Sequence, residues 1–142
     1  MEKGIIVHTI IFNSNKEILL LKRSDNEDVL PGYWDIPGGT LEDGENPVDG
    51  AIREILEESG VKTNKPNLFF YTSNIDSQKN KQFIRMIFIA HTSDTKITLN
   101  QNDHEDYKWI NINDPLQFKF VDYIDDCIQL LKSKKHNLLK FI

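Results

Sequence analysis

Cysteine is nearly absent from this chain: Cys127 stands alone. No intrachain disulfide can form, and a reducing compartment is the expectation. A basic excess is also missing, since 17 Lys and Arg face 22 Asp and Glu for a net charge of −5. That balance argues against a nucleic acid polymer as partner, because gripping its phosphates takes a basic patch. Long apolar runs are missing as well. The stretch GIIVHTIIF, Gly4 to Phe12, is broken by His8 and Thr9. It is too short to cross a membrane, and no signal-type cleavage region follows it. A soluble cytoplasmic protein with no membrane partner is expected. The chain carries no Cys/His metal cluster, no nucleophilic serine motif and no P-loop lysine. It has no internal repeat or low-complexity tract.

What is present suits one domain over residues 1–142, with 39% hydrophobic and 27% charged residues. Gly4 to Phe12 reads as a buried strand, Asn13 to Lys16 as a turn, and Glu17 to Arg23 as the returning strand of a hairpin. Ser24 to Tyr33 is a polar loop, and WDI is a short extended piece leading into Pro37, Gly38 and Gly39. Asn46 caps a predicted helix with Pro47 at its first position, running to about Ser59 and stopping at Gly60. Asn67 to Ser73, Gln82 to Thr92 and Tyr107 to Ile112 read as strands, with Lys96 to Leu99 as a short one. Asn113 or Asp114 is placed as cap of a last helix, clearest from Val121 to His136. Strands with one internal and one terminal helix point to an α/β fold, a mixed sheet covered by helices.

The stretch GGTLEDGENPVDGAIREILEESGV, Gly38 to Val61, is densely acidic. On a helical wheel Val48, Ala51, Ile52, Ile55 and Leu56 share one broad face. Glu54, Glu57 and Glu58 stand at i, i+3 and i+4 on another, a spacing at which like charges repel. Gly50 lies one turn before Glu54 and leaves room for a chain segment or a ligand. Two readings compete. One is a solvated helix face. The other is a site for a hard divalent cation, which binds through a few carboxylates, water and substrate phosphates.

Gly39, Glu45, Arg53, Glu54, Glu57, Glu58 and Gly60, with apolar Ile55 and Val61, stand at the spacing of the Nudix box. By composition alone such a match has odds on the order of one in a billion per starting point. The chain therefore resembles the Nudix hydrolases, MutT-like proteins, and the WDIPGG lead-in strengthens the likeness. The resemblance implies the Nudix fold, an α/β/α sandwich around a mixed sheet. It implies hydrolysis of a nucleoside diphosphate linked to a moiety X, with Mg²⁺ (or Mn²⁺).

Carried over by position, Glu54, Glu57 and Glu58 would be the metal ligands, and Arg53 would pair with Glu45 to hold them. Gly38 and Gly39 would let the backbone turn tightly beside the phosphates. The attacking water needs a general base. Glu57 and Glu58 are candidates, and so are Asp103 and Glu105 in NDHEDYKW, a segment whose alternative is an acidic surface loop. Arg23 stands where relatives contact phosphates, or is a surface base at a strand end. Trp34 and Tyr33 could stack on a base, with packing on the sheet the alternative for Trp34. Trp109 reads as core, and His8 as a pocket wall or hydrogen-bonded core residue. Ile75 to Phe83 lacks both the proline that marks ADP-ribose hydrolases and the tyrosine that marks dinucleoside polyphosphate hydrolases. The expectation is a small nucleotide-type substrate: a nucleoside triphosphate, ordinary or oxidised, split to monophosphate and pyrophosphate. The alternatives are ADP-ribose, a nucleotide sugar or a dinucleoside polyphosphate, or a non-catalytic nucleotide-binding sensor. Monomer and homodimer both stay open.

Overall fold

The computed structural model describes residues 1–27, 30–114 and 118–133. Its elements are β1 (Glu2–Phe12), β2 (Ile18–Arg23), β3 (Trp34–Asp35), β4 (Gly38–Thr40), α1 (Pro47–Ser59), β5 (Asn67–Asp76), β6 (Lys81–His91), β7 (His104–Ile110) and α2 (Asp122–Ser133). Seven strands form one sheet ordered β3-β2-β1-β6-β5, with β4 also on β1 and β7 also on β2. β1 and β6 are parallel over eleven residue pairs, from Glu2↔Lys81 to Phe12↔His91. Among the described residues the other pairings between these strands are antiparallel, so the sheet is mixed.

Both faces of the sheet are covered, and strand alternation explains how. Ile10 and Phe12 of β1, Ile18 and Leu20 of β2, and Ile87 and Ile89 of β6 pack against Ile124, Cys127, Ile128 and Leu131 of α2. Their sequence neighbours Val7, Ile11, Leu19, Leu21 and Phe88 point the other way, where Ala51 and Ile55 of α1 cover them. The expected α/β/α sandwich therefore forms, with apolar residues on both sides of each central strand. Each such fully buried Leu or Ile contributes about 1.5–3 kcal/mol.

The hairpin between β1 and β2 exists, but the two strands register only at Phe12↔Ile18. Beyond that pair β1 takes β4 as its neighbour, and β2 takes β3 and β7. The sheet is thus opened between β1 and β2, and Pro37 to Thr40 crosses the opening.

α1 starts and stops as its sequence dictates. Asn46 accepts a hydrogen bond from the Val48 N–H at 3.0 Å, and Pro47 opens the helix. Gly60 ends it at φ 71°, with its N–H bonded to the Leu56 carbonyl. Three expectations change. Lys96–Leu99 is not a strand; Thr98 N–H bonds to Ser59 O, while Ile97 and Leu99 pack on the α1 side. β7 starts at His104 because His104 to Asp106 pair with Arg23 and Lys22 of β2, which apolar alternation does not reveal. The last helix starts at Asp122, so neither Asn113 nor Asp114 caps it; the expected stretch from residue 134 to His136 lies outside the described residues. Among those residues no helix is long and apolar enough to cross a membrane.

The Gly60 conformation costs an L-residue about 1–2 kcal/mol, and a methyl there would stand 3.1 Å from Thr98 Cβ. Gly60→Ala is expected to lower unfolding stability by at least that amount in urea titration, whereas Asn46→Gly should cost only a few tenths.

Candidate active site

The apolar face of α1 is narrower than its wheel suggests. Ala51 and Ile55 are buried, but Ile52 is 46% and Leu56 54% exposed. The packed side carries Gly50, Glu54, Glu58 and Ser59 instead. Glu54 is 9% and Glu58 8% exposed, so two of the three glutamates are not on a solvated face. Only Glu57 is open to solvent.

Arg53 holds this arrangement. Its Nε donates to Glu45 Oε2 at 2.8 Å and its Nη2 to Glu45 Oε1 at 2.9 Å. Nη1 donates to Glu54 Oε1 at 2.9 Å and to Glu57 Oε2 at 3.3 Å. Nη2 also reaches the Thr40 carbonyl at 3.2 Å. The fork on Glu45 is the planar bidentate geometry that lysine cannot make. The Arg53 guanidinium holds the Glu45 carboxyl down at about 2. Burial raises the Glu54 carboxyl above its ordinary range, with Arg53 working in the opposite direction. Burial raises Glu58 too, opposed by His104. His104 is buried, and its Nδ1 lies 2.7 Å from Glu58 Oε2. Neither atom has a well-aligned hydrogen bond, so the contact is close without the angle of a good one.

Gly38 and Gly39 do not form a turn. They belong to β4, paired with His8 and Val7 of β1. A methyl at Gly39 would stand 2.5 Å from Glu54 Oε1, and one at Gly38 would stand 2.3 Å from the Val7 carbonyl and 2.4 Å from the His8 ring. Their missing side chains let β4 lie directly over Glu54 and His8. At Gly50 it is chain that approaches: a methyl would meet Leu41 at 2.5 Å and Glu45 Oε1 at 2.9 Å.

A cleft of about 560 Å³ runs from this point along the α2 side of the sheet. Glu58, His104 and Gly38 to Thr40 line it at the α1 end. His8, Asp35 and Ile36 line it, as do Thr72, Ser73, Asn74 and Arg85 of β5 and β6 and Asp122, Tyr123 and Asp126 of α2. Asp35 is buried and fully engaged. It accepts from the Tyr123 hydroxyl and from the Ile36 N–H, and Arg23 Nη1 lies 3.5 Å from its Oδ2. Burial lowers His8 to about 4, against the pull of Asp35, so its imidazole is neutral at pH 7.

Arg23 lines the cleft, paired also with Glu27. Six expected residues do not: Arg53, Glu54 and Glu57, which hold one another beside the cleft, and Trp34, Asp103 and Glu105. Trp34 is 7% exposed and packs in the α2-side core, edge-on to Phe118, so it offers no face to a base. Glu105 turns to Lys22, 3.0 Å away. Asp103 accepts from Asn100 and is not on the cleft wall. The residue between them, His104, is the one that enters the site. Asp35, Arg85 and Tyr123 are additions. Arg85 had a visible signal, a charge within the apolar run FIRMIFIA. Asp35 and Tyr123 had none.

The donor set fits a hard divalent ion by its chemistry: three carboxylates on one helix, with Glu58 Oε2 buried and lacking an aligned donor. It is not a closed cage. Among the described residues no three His, Cys, Asp or Glu side chains converge as a metal cluster, and Glu54 and Glu57 lean on Arg53. An ion that keeps water and takes substrate phosphates as ligands needs only one or two of these carboxylates.

Known proteins share this arrangement of chain. The family described as NUDIX domain matches residues 2–131. A protein of Escherichia fergusonii named nucleoside triphosphatase NudI is 30% identical over 127 residues, covering 83% of this chain and 89% of that one. A Bacillus subtilis protein named putative 8-oxo-dGTP diphosphatase is 47% identical over 51 residues, covering 36% and 31%. The crystal structure of a MutT protein from Methanosarcina mazei Go1 superposes with a TM-score of 0.81 at 26% identity, covering 94% and 96%.

The neutral His8 carries a pH dependence. Its folded value of about 4 lies below the ordinary 6.5. Between those values the unfolded chain binds the extra proton, so folding stability is complete above pH 6.5 and falls as pH drops towards 4. The total is about 3 kcal/mol. Urea titrations of wild type and His8→Asn across pH 4–7 should show a shallower slope in the variant. Equal slopes would contradict a buried neutral imidazole.

Proposed function

The chain belongs to the NUDIX domain family, hydrolases of phosphoric anhydrides, and from that premise we propose that it splits a nucleoside triphosphate, ordinary or oxidised, to monophosphate and pyrophosphate with Mg²⁺ or Mn²⁺. The observation that carries this reading is the continuity of the cleft. Its 560 Å³ starts at Glu58, Gly38 and Gly39 and extends to Arg85 and Asp126, within the range of a single small-molecule site. The length of the match to a relative named nucleoside triphosphatase supports the same substrate class.

Glu54, Glu57 and Glu58 would hold the divalent ion. When bound it supplies positive charge against a phosphate chain that this acidic protein otherwise repels. Arg53 fixes two of those carboxylates through Nη1. Arg23 adds a positive charge to the cleft wall. Gly38 and Gly39 keep the wall low beside Glu54. Water attacks the α- or β-phosphorus, a new O–P bond forms, and the bridging O–P bond between those two phosphates breaks, which releases monophosphate and pyrophosphate. Glu58 takes the proton from that water through a carboxylate oxygen that the ion leaves free, since it is the one of the three glutamates that lines the cleft. Asp103 and Glu105 do not line the cleft, and this reading gives the step to Glu58 in their place.

The test is phosphate and pyrophosphate release from nucleoside triphosphates, oxidised nucleotides, nucleotide sugars and dinucleoside polyphosphates, with and without Mg²⁺. Metal-dependent triphosphate turnover is expected, abolished in Glu57→Gln and lowered about a hundredfold in Arg53→Lys, where the carboxylates lose their fork. Turnover confined to sugars or dinucleoside polyphosphates would refute the substrate class. Tight nucleotide binding with no turnover of anything would indicate a sensor.

A further inference from the structure

A half-buried arginine on a cleft wall with no anion beside it calls for a reason. Arg85 stands in β6 between Thr72 of β5 and Ile6 of β1. Its guanidinium lies over the Tyr123 ring, 4.2 Å from the centroid. Its Nε is buried and meets no acceptor. Among the described residues no carboxylate pairs with it. Asp35, the buried carboxylate of this cleft, is already taken by Tyr123, Ile36 and Arg23.

We propose that Arg85 determines specificity by reading the base of the nucleotide, and that it selects a base with two adjacent acceptors flanked by an N–H, as in guanine or cytosine. The inference rests on the nucleotide reading above. The Tyr123 ring beneath it restrains the guanidinium, and the terminal edge of a guanidinium presents two parallel N–H donors. Guanine O6 and N7 match that edge, and so do cytosine O2 and N3. Adenine and uracil have no such adjacent pair. 8-Oxoguanine carries a hydrogen on N7, which turns one acceptor into a donor and spoils the match. Asp122 and Asp126 line the same cleft from α2. They are acceptors for the neighbouring N–H, N1–H of guanine or the N4 amine of cytosine.

A phosphate group also offers adjacent acceptors and is the rival ligand. Position disfavours it. β1 lies between β6 and β4, which sets Arg85 roughly 10 Å across the sheet from the glycines beside Glu54. That offset suits the far end of a nucleotide whose phosphates sit at those glycines.

The experiment measures kcat and KM for GTP, CTP, ATP, UTP and 8-oxo-GTP with wild type, Arg85→Gln and Arg85→Lys. It adds equilibrium binding of the four nucleoside monophosphates without metal. Wild type is expected to favour GTP or CTP over ATP, UTP and 8-oxo-GTP by about ten- to a hundredfold in kcat/KM. Arg85→Gln should bring the ranking within a few-fold, through KM rather than kcat. Arg85→Lys keeps the charge and the stem, so it controls for folding, and it should lose the ranking too, since an ammonium is not a fork. An equal loss for every base would assign Arg85 to phosphate and overturn the proposal. So would a wild-type preference for ATP, UTP or 8-oxo-GTP, or a ranking kept in Arg85→Lys. If no triphosphate is hydrolysed but GMP or CMP still binds best, the triphosphatase reading falls and the base reading stands. A flat monophosphate ranking overturns the base reading whatever the hydrolysis shows.

Discussion

The acid end of this molecule depends on where one guanidinium is placed. Arg53 touches the loop before α1 through Glu45, strand β4 through the Thr40 carbonyl, and its own helix through Glu54 and Glu57. Without it, Glu45, Glu54 and Glu57 would lose the one cation they share. With it, two of them are oriented and a third, Glu45, serves as its anchor. The anchor in turn is constrained from behind. Glu45 packs where any side chain at position 50 would collide with it, so Gly50 and Arg53 together fix the loop.

A second constraint follows from the opened sheet. Because β1 and β2 register only at Phe12 and Ile18, a gap is left that β4 fills on the β1 side. Gly39 then lies against Glu54, and Gly38 against His8. The carboxylates of α1 belong to one layer of the sandwich and the cleft to the other. At this gap Glu58 of the first layer lines the cleft of the second. An unbroken sheet would separate the charge-holding helix from the space where a substrate fits.

The box on α1 was legible in the sequence because its residues are close together in the chain and their spacing carries the chemistry. Asn46, Pro47 and Gly60 announced the helix ends for the same reason: capping is local. What was not legible depends on contacts between distant segments. Gly38 and Gly39 look like a turn until β4 is seen paired to β1. Trp34 looks like a stacking residue until Phe118, far along the chain, is found against its edge. Asp103 and Glu105 were candidate general bases by sequence, but β7 pairing on β2 turns Glu105 to Lys22 and leaves the histidine between them facing Glu58. Charge and spacing could mark that segment. Only strand register could say which of its side chains points inward.

The same distinction separates the acid end from the cleft wall. The acid end is one continuous segment, Gly38 to Val61, tied to itself by Arg53. The cleft wall draws His8, Asp35, Arg85 and Tyr123 from four elements. Two of them, β1 and β6, are locked in register by eleven pairs, so His8 and Arg85 keep their spacing whatever the substrate. The third, Asp35, is held by a backbone N–H, a phenol and an arginine. Tyr123 stands in the first turn of α2, which packs on the sheet through side chains, while the Val121 N–H just before it bonds to the Trp34 carbonyl of β3. Substitutions on that turn of α2 can therefore change what Arg85 is pressed against, and so what it offers a ligand, while leaving Arg53 and its carboxylates untouched. The cleft wall can change without the acid end being rebuilt.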